Sequence, residues 1–71
     1  MDYRVLDIFP VGENTSVTIE GNGKGLKNNI LIKDSLGVPH RLISVAMLSG
    51  EIKKTTTLLI EGIFDSEVIS L

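Results

Sequence analysis

The densest apolar stretch of the chain, residues 58–64, is the feature that most constrains the fold. Its sequence is Leu-Leu-Ile-Glu-Gly-Ile-Phe, with three threonines before it and Asp65-Ser66 after it. It is too short to cross a membrane, which takes about 20 apolar residues. Its β-branched and aromatic residues, followed by turn-forming ones, are typical of a buried strand that ends in a turn. We therefore expect a central strand here, with Ile60 pointing into the core and the other strands wrapped around it.

The length and composition predict one domain, residues 1–71, that has to fold by packing alone. A chain of 71 residues is near the lower limit for a self-sufficient core. It has no cysteine, which excludes disulfides and cysteine-based zinc sites, and its single histidine argues against a histidine-based metal site. We therefore expect no cofactor. A core shared between copies, in a homo-oligomeric structural unit, stays open as an alternative.

The charge of the chain argues against strong, non-specific binding to nucleic acid. Its formal net charge is −2, whereas strong phosphate binders carry an excess of Lys and Arg. Lys53-Lys54 is a candidate contact for phosphate or an acidic partner, although two adjacent lysines are more often solvated surface. The sequence shows no signal peptide, membrane span or lipidation motif. We therefore expect a cytoplasmic protein with no membrane partner.

Short strand-like runs separated by turn residues extend along the chain. They cover residues 3–11, 15–20, 30–32, 38–48, 52–64 and 67–71. In the first run, alternation places Leu6 and Ile8 on one face. The other face then carries four residues, namely Tyr3, Val5, Asp7 and Phe9. In the second run, Val17 and Ile19 point inward and Thr18 points outward. No linker or internal repeat is apparent.

Two segments admit more than one interpretation. Residues 38–48 fit helical spacing as well as strand alternation, and Pro39 favours the strand because proline is tolerated near a strand start but not inside a helix. The glycines at positions 21, 23 and 25 predict a hairpin loop, with a phosphate cradle as the weaker alternative. Six short strands joined by such turns predict an all-β fold, a small six-stranded closed or nearly closed β-barrel.

Five motifs, in the same order, resemble those of a known family. The chain is similar to the β-barrel second domain of the translational GTPases, the elongation factor Tu-like proteins. The resemblance covers nearly the whole chain, and its motifs are Asp7-Ile8-Phe9, Val17-Thr18 and residues 26–32, 43–48 and 59–63. Lys27 replaces a glycine of the family. There is no Gly-x-x-x-x-Gly-Lys-Ser/Thr sequence and hence no nucleotide hydrolysis by that route.

The resemblance implies a non-catalytic binding module that docks on a protein or RNA partner. It places Asp7, Phe9 and Thr18 where the family lines its pocket for the aminoacyl end of tRNA, while Leu6 stands where the family has an acidic residue. A carboxylate, an aromatic ring and a hydroxyl can together bind an amine or ribose and a flat group. We therefore expect any partner contact at these three residues, on the outward face of the barrel.

The alternative of a different class is an enzyme, a small hydrolase that uses His40 with a nearby serine or aspartate. Such a dyad needs a nucleophile and an orienting group within reach of the imidazole. No recognised nucleophile motif surrounds His40, so we expect it to face solvent near a strand start, where it and Arg41 form one polar patch. We therefore predict no enzymatic activity.

Overall fold

The barrel predicted from the sequence is confirmed. A computed structural model describes residues 2–21, 23, 25–46 and 55–71. Its strands are β1 (Asp2–Val11), β2 (Asn14–Glu20), β3 (Ile30–Lys33), β4 (Pro39–Ala46), β5 (Thr55–Ile60) and β6 (Val68–Ser70). They close into an antiparallel barrel in the order β1-β2-β5-β4-β3-β6. Strands are the only regular secondary structure in the described part of the chain.

The barrel is filled with side chains rather than hollow. Strands β2 and β5 alternate buried and less buried residues, because one face of each meets the interior. Ile60 is fully buried, as predicted, although its strand ends there and not at Phe64. The buried apolar core consists of Tyr3, Val17, Ile19, Leu26, Ile32, Leu42, Leu58, Ile60, Phe64 and Ile69.

A bulge in β1 overturns the predicted sharing of faces along that strand. Val5 pairs with Ile19 but Asp7 pairs with Thr18, so Leu6 is an extra residue without a cross-strand partner. Because side chains alternate with period two, one extra residue exchanges the two faces. Tyr3 is therefore buried while Phe9, predicted on the same face, is 64% exposed.

The connection from β2 to β3 is a crossover, because these strands are not neighbours, so the predicted hairpin is wrong. Strand β2 pairs with β1 and β5, whereas β3 pairs with β4 and β6. The connection therefore passes across one end of the barrel, where Leu26 is buried. The glycines at 21, 23 and 25 do have positive φ, as their spacing suggested. Gly23 has a φ of +67°, and a Cβ on it would lie 3.1 Å from Cγ2 of Thr56, so the backbone conformation and this close approach both favour glycine.

The second crossover, residues 61–67, closes the opposite end of the barrel. It joins β5 to β6, which are not neighbours, and it buries Phe64. Of the ambiguous segment 38–48, Pro39–Ala46 forms β4, so the strand interpretation is confirmed there. The predicted turn at residues 49–51 and Lys53-Lys54 lie outside the described residues.

The barrel has an internal two-fold pseudo-symmetry that relates β1–β2–β3 to β4–β5–β6. Exchanging β1 with β4, β2 with β5 and β3 with β6 leaves the ring of neighbours unchanged. The registers agree in detail, since Val5 pairs with Ile19 as Leu42 pairs with Ile60. A register shift follows Val5 and another follows Leu42. The two halves are therefore equivalent residue by residue through both bulges.

This symmetry is visible in the sequence as a repeat, so the expectation of no internal repeat is wrong. Residues 15–21 read Thr-Ser-Val-Thr-Ile-Glu-Gly and residues 56–62 read Thr-Thr-Leu-Leu-Ile-Glu-Gly. The first threonine of each repeat binds the last glycine of the other. Oγ1 of Thr15 donates to the Gly62 carbonyl over 2.7 Å, and Oγ1 of Thr56 donates to the Gly21 carbonyl over 2.8 Å. The repeat thus ties each crossover to the opposite half.

Candidate binding surface

The structure brings the three predicted site residues together on the outside of the barrel. Asp7 and Thr18 are directly opposite each other on β1 and β2. Phe9 lies two residues further along β1, on the same outward face, opposite Ser16. Directly opposed residues of an antiparallel pair have Cβ atoms about 5 Å apart, so acid, ring and hydroxyl adjoin. We call Asp7, Phe9 and Thr18 the β1–β2 face.

The second half of the barrel does not repeat the combination of groups on the β1–β2 face. The equivalent positions of the second half, given by the registers of β4 and β5, carry Ser44, Ala46 and Leu59. The carboxylate of Asp7 accepts a hydrogen bond from the backbone N–H of Ile8 through Oδ1 over 3.0 Å. The second carboxylate oxygen and the ring of Phe9 stay available to a ligand on the surface.

Exposed apolar side chains gather at the end of the barrel where β1, β3 and β5 finish. Ile63, on the second crossover, is 88% exposed, and Leu36, on the β3–β4 turn, is 86% exposed. Together with the neighbouring positions they form what we call the apolar end, which consists of Phe9, Val11, Leu36, Val38 and Ile63. Several exposed apolar side chains at one end of a small domain make that end a candidate contact site.

A groove of about 790 Å³ runs beside β1, between this strand, β6 and the β3–β4 turn. Apolar groups from Val5, Leu6, Ile8 and Val68 form part of its wall. Among the described residues that line it, none is basic and five are acidic: Asp2, Asp7, Asp34, Asp65 and Glu67. We call it the acidic groove. No local sequence pattern predicts this groove, because its acids come from three separate parts of the chain.

His40 does not face solvent, which corrects the sequence expectation. Its side chain and that of Asp34 are each only 15% exposed, and Nε2 of His40 lies 2.9 Å from Oδ2 of Asp34. The carboxylate can only accept, so Nε2 carries the proton. The imidazole also packs edge-on against Phe64, with 4.9 Å between ring centroids. Arg41 points the other way, to Asn29 and Glu61, so His40 and Arg41 form no common patch.

The Asp34–His40 pair closes the β3–β4 turn. Oδ1 of Asp34 accepts the backbone N–H groups of Leu36 and Val38, over 2.9 and 3.0 Å. The hydrogen bond from His40 holds the pKa of the Asp34 carboxyl below its ordinary value of 3.8; burial opposes this shift and the two amides add to it. An aspartate that caps a turn and meets a histidine across the hairpin is thus a structural unit.

We expect this pair to make stability depend on pH in acid. The unfolded chain protonates Asp34 more readily than the folded one, so its contribution is complete above pH 3.8 and disappears as the pH falls through the lowered pKa. Asp34→Asn should therefore lose less stability than the wild type between about pH 5 and about pH 2. Urea midpoints measured across this range check it, with Glu13→Gln as the control that makes the same change from acid to amide away from the Asp34–His40 pair. Equal losses in Asp34→Asn and the wild type would contradict the assignment.

The hydrolase alternative needs a hydroxyl on the imidazole in addition to Asp34. The nearby Ser66 is buried and engaged with backbone, since its Oγ donates to the Val68 carbonyl and accepts from the Ser35 and Val68 N–H groups. Among the hydrogen bonds of the described residues, none joins His40 to a serine or threonine hydroxyl. The geometry therefore supports a structural role for this pair.

Comparisons of the chain with known protein families, curated proteins and solved structures found no match. The described residues contain no helix that is long and apolar enough to cross a membrane. Within the same residues, no cluster of His, Cys, Asp or Glu has the arrangement of a metal site.

Proposed function

We propose that this protein is a non-catalytic binding module that docks on a polypeptide partner through the β1–β2 face. The observation that carries the proposal is the exposure of Phe9, whose ring is 64% accessible on the face of a regular ladder beside Asp7 and Thr18. Aromatic side chains, phenylalanine included, are enriched at the centres of protein interfaces relative to the rest of a protein surface. The resemblance to the second domain of the translational GTPases supports this function, because the closed six-stranded barrel is compatible with that module.

A binding role suits the filled interior of the barrel. The core side chains occupy the space in which a small barrel would otherwise hold a ligand. The accessible features are all external, namely the β1–β2 face, the apolar end and the acidic groove. A polypeptide fits this surface better than RNA, because the five acids of the groove repel phosphate.

The test is affinity capture from native cell extract with the wild type and Phe9→Ala, with and without ribonuclease. We expect the wild type to retain a partner, ribonuclease to leave its recovery unchanged, and Phe9→Ala to lose at least about tenfold in affinity. Leu31→Ala is the control, since Leu31 is equally exposed but lies on β3. Recovery abolished by ribonuclease would replace the polypeptide with RNA, and equal recovery by Phe9→Ala would refute the face.

A second candidate function is a homo-oligomeric structural unit, which the apolar end favours. Leu36 and Ile63 are the most exposed large apolar side chains described, and both lie at this end. Burying such groups between copies removes apolar surface from water. Sedimentation velocity over a wide concentration range separates the candidates: concentration-dependent dimers abolished by Leu36→Asp favour assembly, and a persistent monomer favours the binding module.

A further inference from the structure

We propose that the backbone edge of β1 at Ile8 accepts an extended, basic polypeptide segment as an added strand, with its Lys or Arg side chains in the acidic groove. The proposal rests on the proposed function in taking the domain as a binding module. It adds a second surface and the chemistry of the partner. Strand addition to an exposed sheet edge is a general mode of peptide recognition.

The first step is that this edge of β1 lacks a partner strand. Strand β1 extends to Val11, but β6 pairs only with its residues 2–4. A two-residue turn joins Val11 to Asn14, so these two residues form a hydrogen-bonded pair. Hydrogen-bonded pairs recur at every second residue, so Phe9 and Asp7 are also hydrogen-bonded to their partners on β2. The backbone groups of Ile8 therefore point away from β2, into the acidic groove, which Ile8 lines.

The second step is a comparison with the other half of the barrel. The equivalent of Ile8 is Val45, since they pair with the equivalent residues Val17 and Leu58. The N–H of Val45 donates to Oδ1 of Asn28 over 2.9 Å, so the crossover of residues 21–29 covers this edge. The N–H of Ile8 has only the carboxylate of its own neighbour, Asp7. The shorter crossover, residues 61–67, binds this edge at Val5, whose N–H donates to the Glu67 carbonyl over 2.9 Å, but it makes no described hydrogen bond to Ile8. The edge is therefore open at Ile8, and Pro10 beyond it offers only a carbonyl.

The third step is the charge beside this open edge. Five acids line the groove and no described lining residue is basic. Asp34 is already bound by His40, so the other four acids, Asp2, Asp7, Asp65 and Glu67, are the ones left for a basic partner. A second copy of this chain would bring the same five acids, and a nucleic acid would bring phosphates, so both are repelled. A basic strand is attracted, and alternate side chains of a strand fall on one face about 7 Å apart, which suits a row of acids along a groove.

The test uses a ten-residue peptide of alternating lysine and threonine, titrated into ¹⁵N-labelled protein. We expect saturable shifts that are largest at the Ile8 amide and weaken with added salt, while the covered Val45 amide stays unchanged. The matched peptide of alternating glutamate and threonine should not bind. No saturable shift with the lysine peptide, or shifts of similar size at Val45, would overturn the proposal.

Two changes to the protein distinguish the contribution of the backbone edge to peptide affinity from that of the acidic groove. Chemical synthesis with N-methyl-Ile8 removes one N–H and keeps the side chain, and we expect at least a tenfold loss of affinity for the lysine peptide. The Ser16 and Thr18 amides, whose residues form the hydrogen-bonded pairs on either side of Ile8, should stay unchanged as evidence of an intact ladder. Asp65→Asn with Glu67→Gln should weaken binding at least fivefold. The control, Glu13→Gln with Glu20→Gln, changes the same charge outside the groove and should leave affinity within twofold.

The outcomes distinguish this inference from the proposed function. Lysine-peptide shifts confined to Phe9, Ser16 and Thr18 would refute the edge and leave the β1–β2 face standing. Peptide binding at Ile8 that is unchanged in Phe9→Ala, with no partner lost by that variant in the capture experiment, would refute the face and leave the edge. Full affinity in N-methyl-Ile8 would refute strand addition even if the charge variants weaken binding.

Discussion

Phe64→Ala should lower the free energy of unfolding by about 3–5 kcal/mol. Phe64 lies on the second crossover, is 2% exposed, closes that end of the barrel and contacts the ring of His40. Its backbone N–H is bound by Oγ1 of Thr15 over 3.1 Å, so the backbone cannot readily move to fill the space left by the ring. Small domains have only about 5–15 kcal/mol in total, so a large unfolded fraction is expected. Urea denaturation followed by circular dichroism measures the change.

Phe9→Ala is the matched control for Phe64→Ala. Phe9 is exposed on the β1–β2 face, so its removal should change stability by less than about 0.5 kcal/mol. The two phenylalanines thus separate folding from binding, because Phe64→Ala destabilises the barrel and Phe9→Ala removes the proposed hot spot. If both variants unfolded at the same urea concentration, the burial of Phe64 would be misassigned.

The second large effect is expected at Ile60, where alanine should cost about 2–5 kcal/mol. Ile60 is fully buried at the end of β5 and pairs with Thr15 on one side and Leu42 on the other. Truncation leaves a cavity bordered by two strands that the barrel holds apart, so the surroundings relax little. Thermal melting and urea midpoints measure the loss.

Ile63→Ala is the control for Ile60→Ala, since it makes the same chemical change three residues away at a side chain that is 88% exposed. Its stability should stay within about 0.5 kcal/mol of the wild type. A wild-type melting temperature for Ile60→Ala would falsify the placement of β5 in the core.

Local sequence pattern was sufficient for the candidate face but not for the whole of its strand. Alternation predicted that Asp7 and Phe9 share a face of β1 and that Thr18 points outward on β2. The resemblance added the expectation that the three lie together, and the registers place them so. The same alternation, extended back to Tyr3, wrongly put Tyr3 on the face of Phe9, because the bulge at Leu6 exchanges the faces. A bulge depends on how two strands pair, and no residue at positions 5–7 predicts it.

Neither the acidic groove nor the open edge of β1 could be predicted from local sequence patterns. Asp34 and Asp65 reach the groove from the β3–β4 turn and the second crossover, on either side of β4 and β5 in the chain. Their proximity to Asp7 follows from the closure of the ring through β6. The repeat of residues 15–21 at residues 56–62 does indicate that the barrel has two equivalent halves. The edge that is equivalent to the one at Ile8 lies at Val45, where Asn28 covers it.

The sequence by itself determined the all-β class, the inward positions Val17 and Ile19 of β2 and the burial of Ile60. The faces of β2 follow from its own alternation of apolar and polar residues, and the burial of Ile60 follows from its place in the densest apolar run. The tertiary structure alone decided which strands are neighbours. It turned the predicted glycine hairpin into a crossover and paired His40 with Asp34. It also left Ile8 without a partner strand. These features depend on contacts between residues far apart in the chain, and no local pattern encodes such contacts.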